Sequence, residues 1–142
     1  MALDPTSKSV NLIRSAKKFW KDGITAYPIH FDASFSVEKA PPQWIGVKIS
    51  DEFIGQISNA LMIAYLHSRQ DREGVVLTTM KDAVLSLFEN GYFNLYNTEV
   101  TPWVKIGGVL IDYINITDEE DNLPSETKIK IVSTVIRWSA VW

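Results

Sequence analysis

Hydrophobic and polar positions change their period several times along the 142 residues, and each change marks an element. Leu12, Ile13, Ala16, Phe19 and Trp20 recur at helical spacing and form one stripe. Asp4-Pro5 is a suitable entry to that helix, and Gly23 a suitable exit. The period then drops to two. Tyr27, Ile29, Phe31, Ala33 and Phe35 alternate with polar positions, predicting a strand over 24–36 that Pro28 confines to an edge or a bend. Pro41-Pro42 marks a loop. Ile45, Val47 and Ile49 predict a strand over 44–49, followed by a turn at Asp51-Glu52 and Gly55.

A third strand, over 57–67, is apolar on both faces between Leu61 and Leu66, which places it at the centre of a sheet. A polar loop over 68–74 leads to a second helix with Leu77, Met80, Val84, Leu87 and Phe88 on one stripe, closed by Gly91. A short strand over 92–96 and a longer one over 105–116 follow, with a bulge or close approach expected at Gly107-Gly108. The last segment, 127–142, has no Gly or Pro and carries apolar residues on both faces, so it too belongs at the centre. Extended throughout, it would run roughly 50 Å, more than the diameter of about 40 Å of a compact domain this size. It must bend, stop early or project, and projection points to assembly. The sum is a single α+β domain: a mixed, mainly antiparallel sheet of five or six strands flanked by two helices.

Composition narrows the function without naming it. Apolar residues make up 46%, enough for a buried core, and a net charge of −3 gives no general attraction to nucleic acid or membranes. There is no cysteine, hence no disulfide framework and no thiolate chemistry. The first residues lack the layout of a signal peptide and no run of 18 apolar residues exists, so a soluble, non-secreted protein is expected. In that setting the glycosylation pattern Asn115-Ile116-Thr117 is coincidental.

Motifs of catalysis are missing: no nucleophile elbow, no phosphate-cradling glycine loop and no His-Glu-x-x-His. His30 and His67 sit on separate strands without matching ligands, so neither a metal nor a triad is expected, and no cofactor either. The acidic run Asp118, Glu119, Glu120, Asp121 lacks the spacing of a calcium loop and reads as a solvated hairpin turn. Arg14, Lys17, Lys18 and Lys21 occupy the polar side of the first helix, either as a solvated face or as a contact for an acidic neighbour. Of five tryptophans, Trp20, Trp44 and Trp138 suit a core. Trp103 and Trp142 suit an interface as well as they suit local packing.

Taken in order, an apolar strand, the loop Ser68-Arg69-Gln70-Asp71-Arg72-Glu73-Gly74, a helix containing Asp82, a short strand, and a final strand with Arg137-Trp138-Ser139-Ala140 resemble the tail terminator (tail completion) proteins of long-tailed bacteriophages. The likeness lies in order and style across most of the chain. It departs in the long acidic turn and in the loop with Pro102-Trp103. The resemblance implies a non-enzymatic structural virion protein at the tail–neck junction, made in the host bacterial cytoplasm. Such proteins form a hexameric ring that caps the tail tube, ends elongation and offers a docking surface to the head–neck connector. The implied partners are further copies of the chain, the tail tube protein and the connector or stopper protein, with no membrane. A head-closure or stopper protein, another neck component and a host interaction module are the alternatives.

Ring closure needs two complementary surfaces on each subunit. The candidates are Arg14, Lys17, Lys18 and Lys21 against Asp118, Glu119, Glu120 and Asp121, with Trp103 and Trp142 as further contacts. Genome passage calls for a lumen that does not hold phosphate tightly. Asp71, Glu73 and the loop Asp118–Asp121 are candidates to line it or to face solvent on the outer rim, with Arg69 and Arg72 of the same region offset by these acidic neighbours.

Overall fold

A computed structural model describes residues 8–31, 42–53, 55, 57–71, 73–118 and 127–139. Two helices, α1 (Lys8–Gly23) and α2 (Val75–Phe88), accompany six strands: β1 (Ile29–Phe31), β2 (Gln43–Phe53), β3 (Ile57–Arg69), β4 (Tyr92–Asn97), β5 (Val104–Asp118) and β6 (Thr127–Ser139). The fold is α+β: the strands form one mixed sheet in the order β1-β2-β3-β6-β5-β4, curled into a half-barrel. The β1–β2 pair is parallel and the rest antiparallel. The two strands expected at the centre, β3 and β6, are there, paired from Ile57↔Ser139 to Arg69↔Thr127.

Both helices pack on one face. Ser58, Ala60, Met62, Ala64, Leu66 and Ser68 of β3 and Val132, Thr134, Ile136 and Trp138 of β6 are buried there, alternating with half-exposed residues. Leu12, Ala16 and Trp20 come down from α1, and Leu77, Met80, Val84, Leu87 and Phe88 from α2, all buried. Trp20 sits edge-on to Phe88 with ring centroids 5.4 Å apart, and its indole N–H donates to the Met62 sulfur at 3.3 Å. A buried indole with its donor satisfied contributes area without a desolvation penalty.

Three boundaries differ from the sequence reading. No strand covers 24–28. The Ile24 N–H instead donates to the Trp20 carbonyl at 2.9 Å, so the helix end claims Ile24, and the strand begins only after Pro28. The remainder of the expected strand, 32–36, lies outside the described residues, as does the start of the first helix at Asp4-Pro5. Asp51 and Glu52 belong to β2, whose pairing with β3 continues past an irregularity to Phe53↔Asn59; cross-strand bonding overrides their turn preference. The bulge expected at Gly107-Gly108 falls one position earlier. Leu95 faces Gly107 and Tyr96 faces Lys105, leaving Ile106 as the extra residue.

A second irregularity lies in β5. Tyr113 is skipped between Asp112↔Val135 and Ile114↔Thr134, and it takes a left-handed φ of 49°. That conformation is unfavourable for a bulky side chain. Two bonds hold it: the Tyr113 N–H donates to Asp112 Oδ1 at 3.1 Å, and the Thr134 hydroxyl donates to the Asp112 carbonyl at 2.7 Å.

Candidate interaction surfaces

The two β-to-α and α-to-β junctions position the loops. The β3–α2 connection turns at Gln70 (φ 59°) and Gly74 (φ 71°). Gly74 has no side chain with which to cap α2. Asp71 reaches forward instead: its Oδ2 accepts the Leu77 N–H at 2.8 Å and the Ser68 hydroxyl at 3.2 Å. Burial alone would push this carboxyl up. The backbone N–H groups of Leu77 and Val76, the Ser68 hydroxyl and the charge of Lys128 outweigh it and hold Asp71 below the ordinary aspartate range. Asp71 is therefore buried and engaged in starting α2, rather than displayed from a loop. Glu73 beside it is exposed, Arg69 is half-buried at the end of β3, and Arg72 lies outside the described residues.

On α1, Arg14, Lys17, Lys18 and Lys21 are all exposed, as an interaction face requires, but they do not share one direction. Arg14 donates to the Thr98 hydroxyl at 3.3 Å beyond β4. Lys18 pairs with Asp22 at 2.7 Å, a contact that raises the lysine's pKa. Lys17 leans the other way, 5.7 Å from the Phe31 ring of β1. Asp118 ends β5; Glu119, Glu120, Asp121 and Trp142 lie outside the described residues. Trp103 is 40% exposed after a cis Thr101-Pro102 bond, its ring 6.0 Å from that of Tyr96. It is accessible and locally packed at once.

Three features that sequence reasoning did not foresee stand out. The first is the sheet face opposite the helices. Pairing aligns Leu61 with Val135, Ile63 with Ser133, Tyr65 with Ile131 and His67 with Ile129 across its middle, all half-exposed. At one end Phe53, Ile57 and Leu110 are largely exposed, Ile57 at 68%. No described helix covers this face. The second is the outer edge of β5. Beyond Leu110 the strand has left β4 behind, and Tyr113 (73% exposed), Ile114 and Ile116 line a stretch with no described strand beside it.

The third is a cleft of about 390 Å³ between α1, the end of α2 and β4, bounded by Lys18, Phe19, Asp22, Leu87, Tyr92 and Asn94. Phe19 stacks on Phe93 at its floor, with centroids 4.8 Å apart. At the far end of the sheet Trp44 is buried on the open face, stacked on His67 at 3.9 Å with His30 edge-on at 5.9 Å. Burial lowers the pKa of His67, against the Tyr65 and Trp44 backbone contacts that raise it. Among the described residues no group of three or more His, Asp or Glu is arranged to hold a metal ion, and no helix is long and apolar enough to cross a membrane. Comparison with models of known protein families and with curated proteins finds no match.

Proposed function

We propose that this chain is a structural subunit of a long-tailed bacteriophage neck, a tail terminator that closes into a ring on the end of the tail tube. The observation that carries the reading is the open sheet face. Its middle rows, from Leu61↔Val135 to His67↔Ile129, span the two central strands. Four strands about 4.8 Å apart and some ten residues long cover on the order of 700 Å². That approaches the roughly 800 Å² per partner of a standard specific interface. A subunit that spends its existence in an assembly has partners for such a face; an isolated domain of this size leaves it to water.

The order of elements supports the same reading. An apolar strand, a short Arg/Asp-rich loop, a helix, a short strand and a final alternating strand follow one another here in the order on which the resemblance rests. The stretch of β5 with no described strand beside it adds backbone donors and acceptors suited to contact between subunits. In this account the tail tube and the head–neck connector take the two ends of the ring, and DNA passes without tight binding. The test is to add the purified protein to polymerising tail-tube protein and image the products by negative-stain microscopy. Capped tubes of arrested length, with extra density at one end, are expected. Tubes that grow on unchanged, with bare ends, would reject the terminator role. Binding to the portal-side connector alone would indicate a stopper.

A further inference from the structure

The ring reading above requires two different surfaces on each copy. Among the described residues six large apolar side chains are more than half exposed, and four of them fall at two places on opposite margins of the sheet. Phe53 (62% exposed) and Ile57 (68%) stand at the end of the β2–β3 hairpin. Tyr92 (56%) and its cross-strand neighbour Leu110 (59%) stand at the start of β4. The register puts both places on one row: Phe53 pairs with Asn59, Asn59 with Arg137, Arg137 with Leu110 and Leu110 with Tyr92. Phe53 and Tyr92 are therefore four strand spacings apart, roughly 19 Å along the sheet.

The β4 margin is hollow. Helix α1 follows the outer edge of β4 where the Thr98 N–H donates to Asn11 Oδ1 and the Tyr96 N–H to Ser15 Oγ, each at 3.0 Å. Further on it leans over the sheet and Phe19 stacks on Phe93, which opens the cleft between Tyr92 on one side and Lys18 on the other. The β2 margin protrudes. The Phe53 ring lies over Gly55, 3.2 Å from where a Cβ would stand, and takes no part in the core. Glu52 is tied to the first turn of α1 by the Ser9 hydroxyl, which donates to it at 2.9 Å. Ser9 is nine residues before Lys18, or about 14 Å along the helix. The hairpin end cannot enter the cleft of its own chain.

We propose that the α1–β4 cleft receives the β2–β3 hairpin end of a second copy of this chain. Phe53 is the anchor, seated between Tyr92 and Phe19. Ile57 covers Leu110, and Glu52 approaches Lys18. Shape and charge both choose this occupant. A protruding aromatic side chain in an aromatic-lined pocket is the kind of pairing that carries most of the energy of an interface. The segment from Ser50 to Ile57 carries Asp51 and Glu52 and no basic residue, whereas the cleft half of α1 exposes Lys18 and Lys21 against Asp22 alone. Such opposition sets orientation and on-rate more than affinity. Sharing Lys18 with a second carboxylate disturbs only an exposed i,i+4 pair, which is weak. The two surfaces differ and lie on opposite margins of the sheet, so the contact is head to tail, the kind that generates a closed ring. The inference rests on the ring reading and names the contact that builds it.

The test measures self-association of the full chain by sedimentation. Phe53→Asp should weaken association at least tenfold. Glu52→Lys and Lys18→Glu should each weaken it, and combining the two should restore it. All three side chains are exposed, and circular dichroism reports whether the fold survives. The chain has no cysteine, so Glu52→Cys with Lys18→Cys provides an independent reading that keeps the Phe53 anchor. Within one chain these positions are too far apart for a disulfide, which needs Cα atoms within about 7 Å. A ladder of disulfide-linked oligomers is therefore expected under oxidation. Oligomers that form as before with Phe53→Asp, together with no ladder, would overturn this contact and leave the ring reading standing. A wild-type chain that stays monomeric at every concentration, alone and with tail tubes present, would overturn both.

Discussion

Replacing Asp71 by alanine tests how the β3–α2 junction is built. The carboxylate accepts the Leu77 N–H and the Ser68 hydroxyl, and Ser68 has no exposed surface. Losing a helix-capping acceptor costs about 1 kcal/mol, and stranding a buried hydroxyl costs about 1 kcal/mol more. The expected loss is therefore roughly 2 kcal/mol, or about 6 °C in Tm for a domain of this length. Asp71→Asn keeps an acceptor oxygen and should lose about half as much. The pH dependence separates charge from shape. Asp71 titrates below its ordinary range in the folded chain. Its ionised form thus contributes stability in full above the unfolded aspartate pKa, and that contribution disappears as pH falls through the lower folded value. The gap between wild type and Asp71→Asn should be constant near neutrality and close under acid. Urea unfolding of the three proteins from neutral to acidic pH measures it. An alanine variant as stable as wild type, or a gap that does not close in acid, would refute the capping role.

Other outcomes follow from the same packing. Trp20→Ala removes a fully buried indole along with its Phe88 and Met62 contacts, and should cost about 3–5 kcal/mol by denaturant unfolding. His67 has a lowered pKa, so folding opposes its protonation, and stability should decline as pH drops from the ordinary histidine value toward the folded one. His67→Phe, which keeps the stack on Trp44, should flatten that part of the profile. Tyr113→Gly relieves a left-handed φ at an exposed site and should stabilise the isolated chain by about 0.5–1 kcal/mol, while weakening association if the tyrosine meets a neighbour. A mobility-shift assay at physiological salt should show at most weak, sequence-independent DNA binding.

Periodicity carried most of the fold because one covered face leaves a regular imprint. The α2 stripe from Leu77 to Phe88 and the double-faced runs in β3 and β6 named the core and the centre of the sheet. What periodicity could not reveal depends on contacts between distant segments. Asp71 reads as one more charge in a polar loop, since a cap reaching six residues forward to Leu77 has no short-range signature. The Trp44–His67 stack joins residues 23 positions apart that become neighbours only through the β2–β3 register. The cleft takes its walls from α1, α2 and β4, so no local pattern announces it. Alternation at Tyr27, Ile29 and Phe31 was genuine, yet it extended too far back because Ile24 is also the residue that a helix ending at Gly23 needs for its last hydrogen bond. The basic side of α1 was legible as exposed charge. Its division into Arg14 toward Thr98, Lys18 at the cleft and Lys17 toward β1 was not, because it depends on which strands flank the helix.

The central claim is that the chain assembles into a ring, and its mass in solution is the most direct measurement. Light scattering across a concentration series, repeated at low and high salt, should find a discrete particle of six times the 16.1 kDa chain mass, formed more slowly as salt screens the opposed charges. A particle that remains a single chain at every concentration, alone and with tail tubes present, would contradict it.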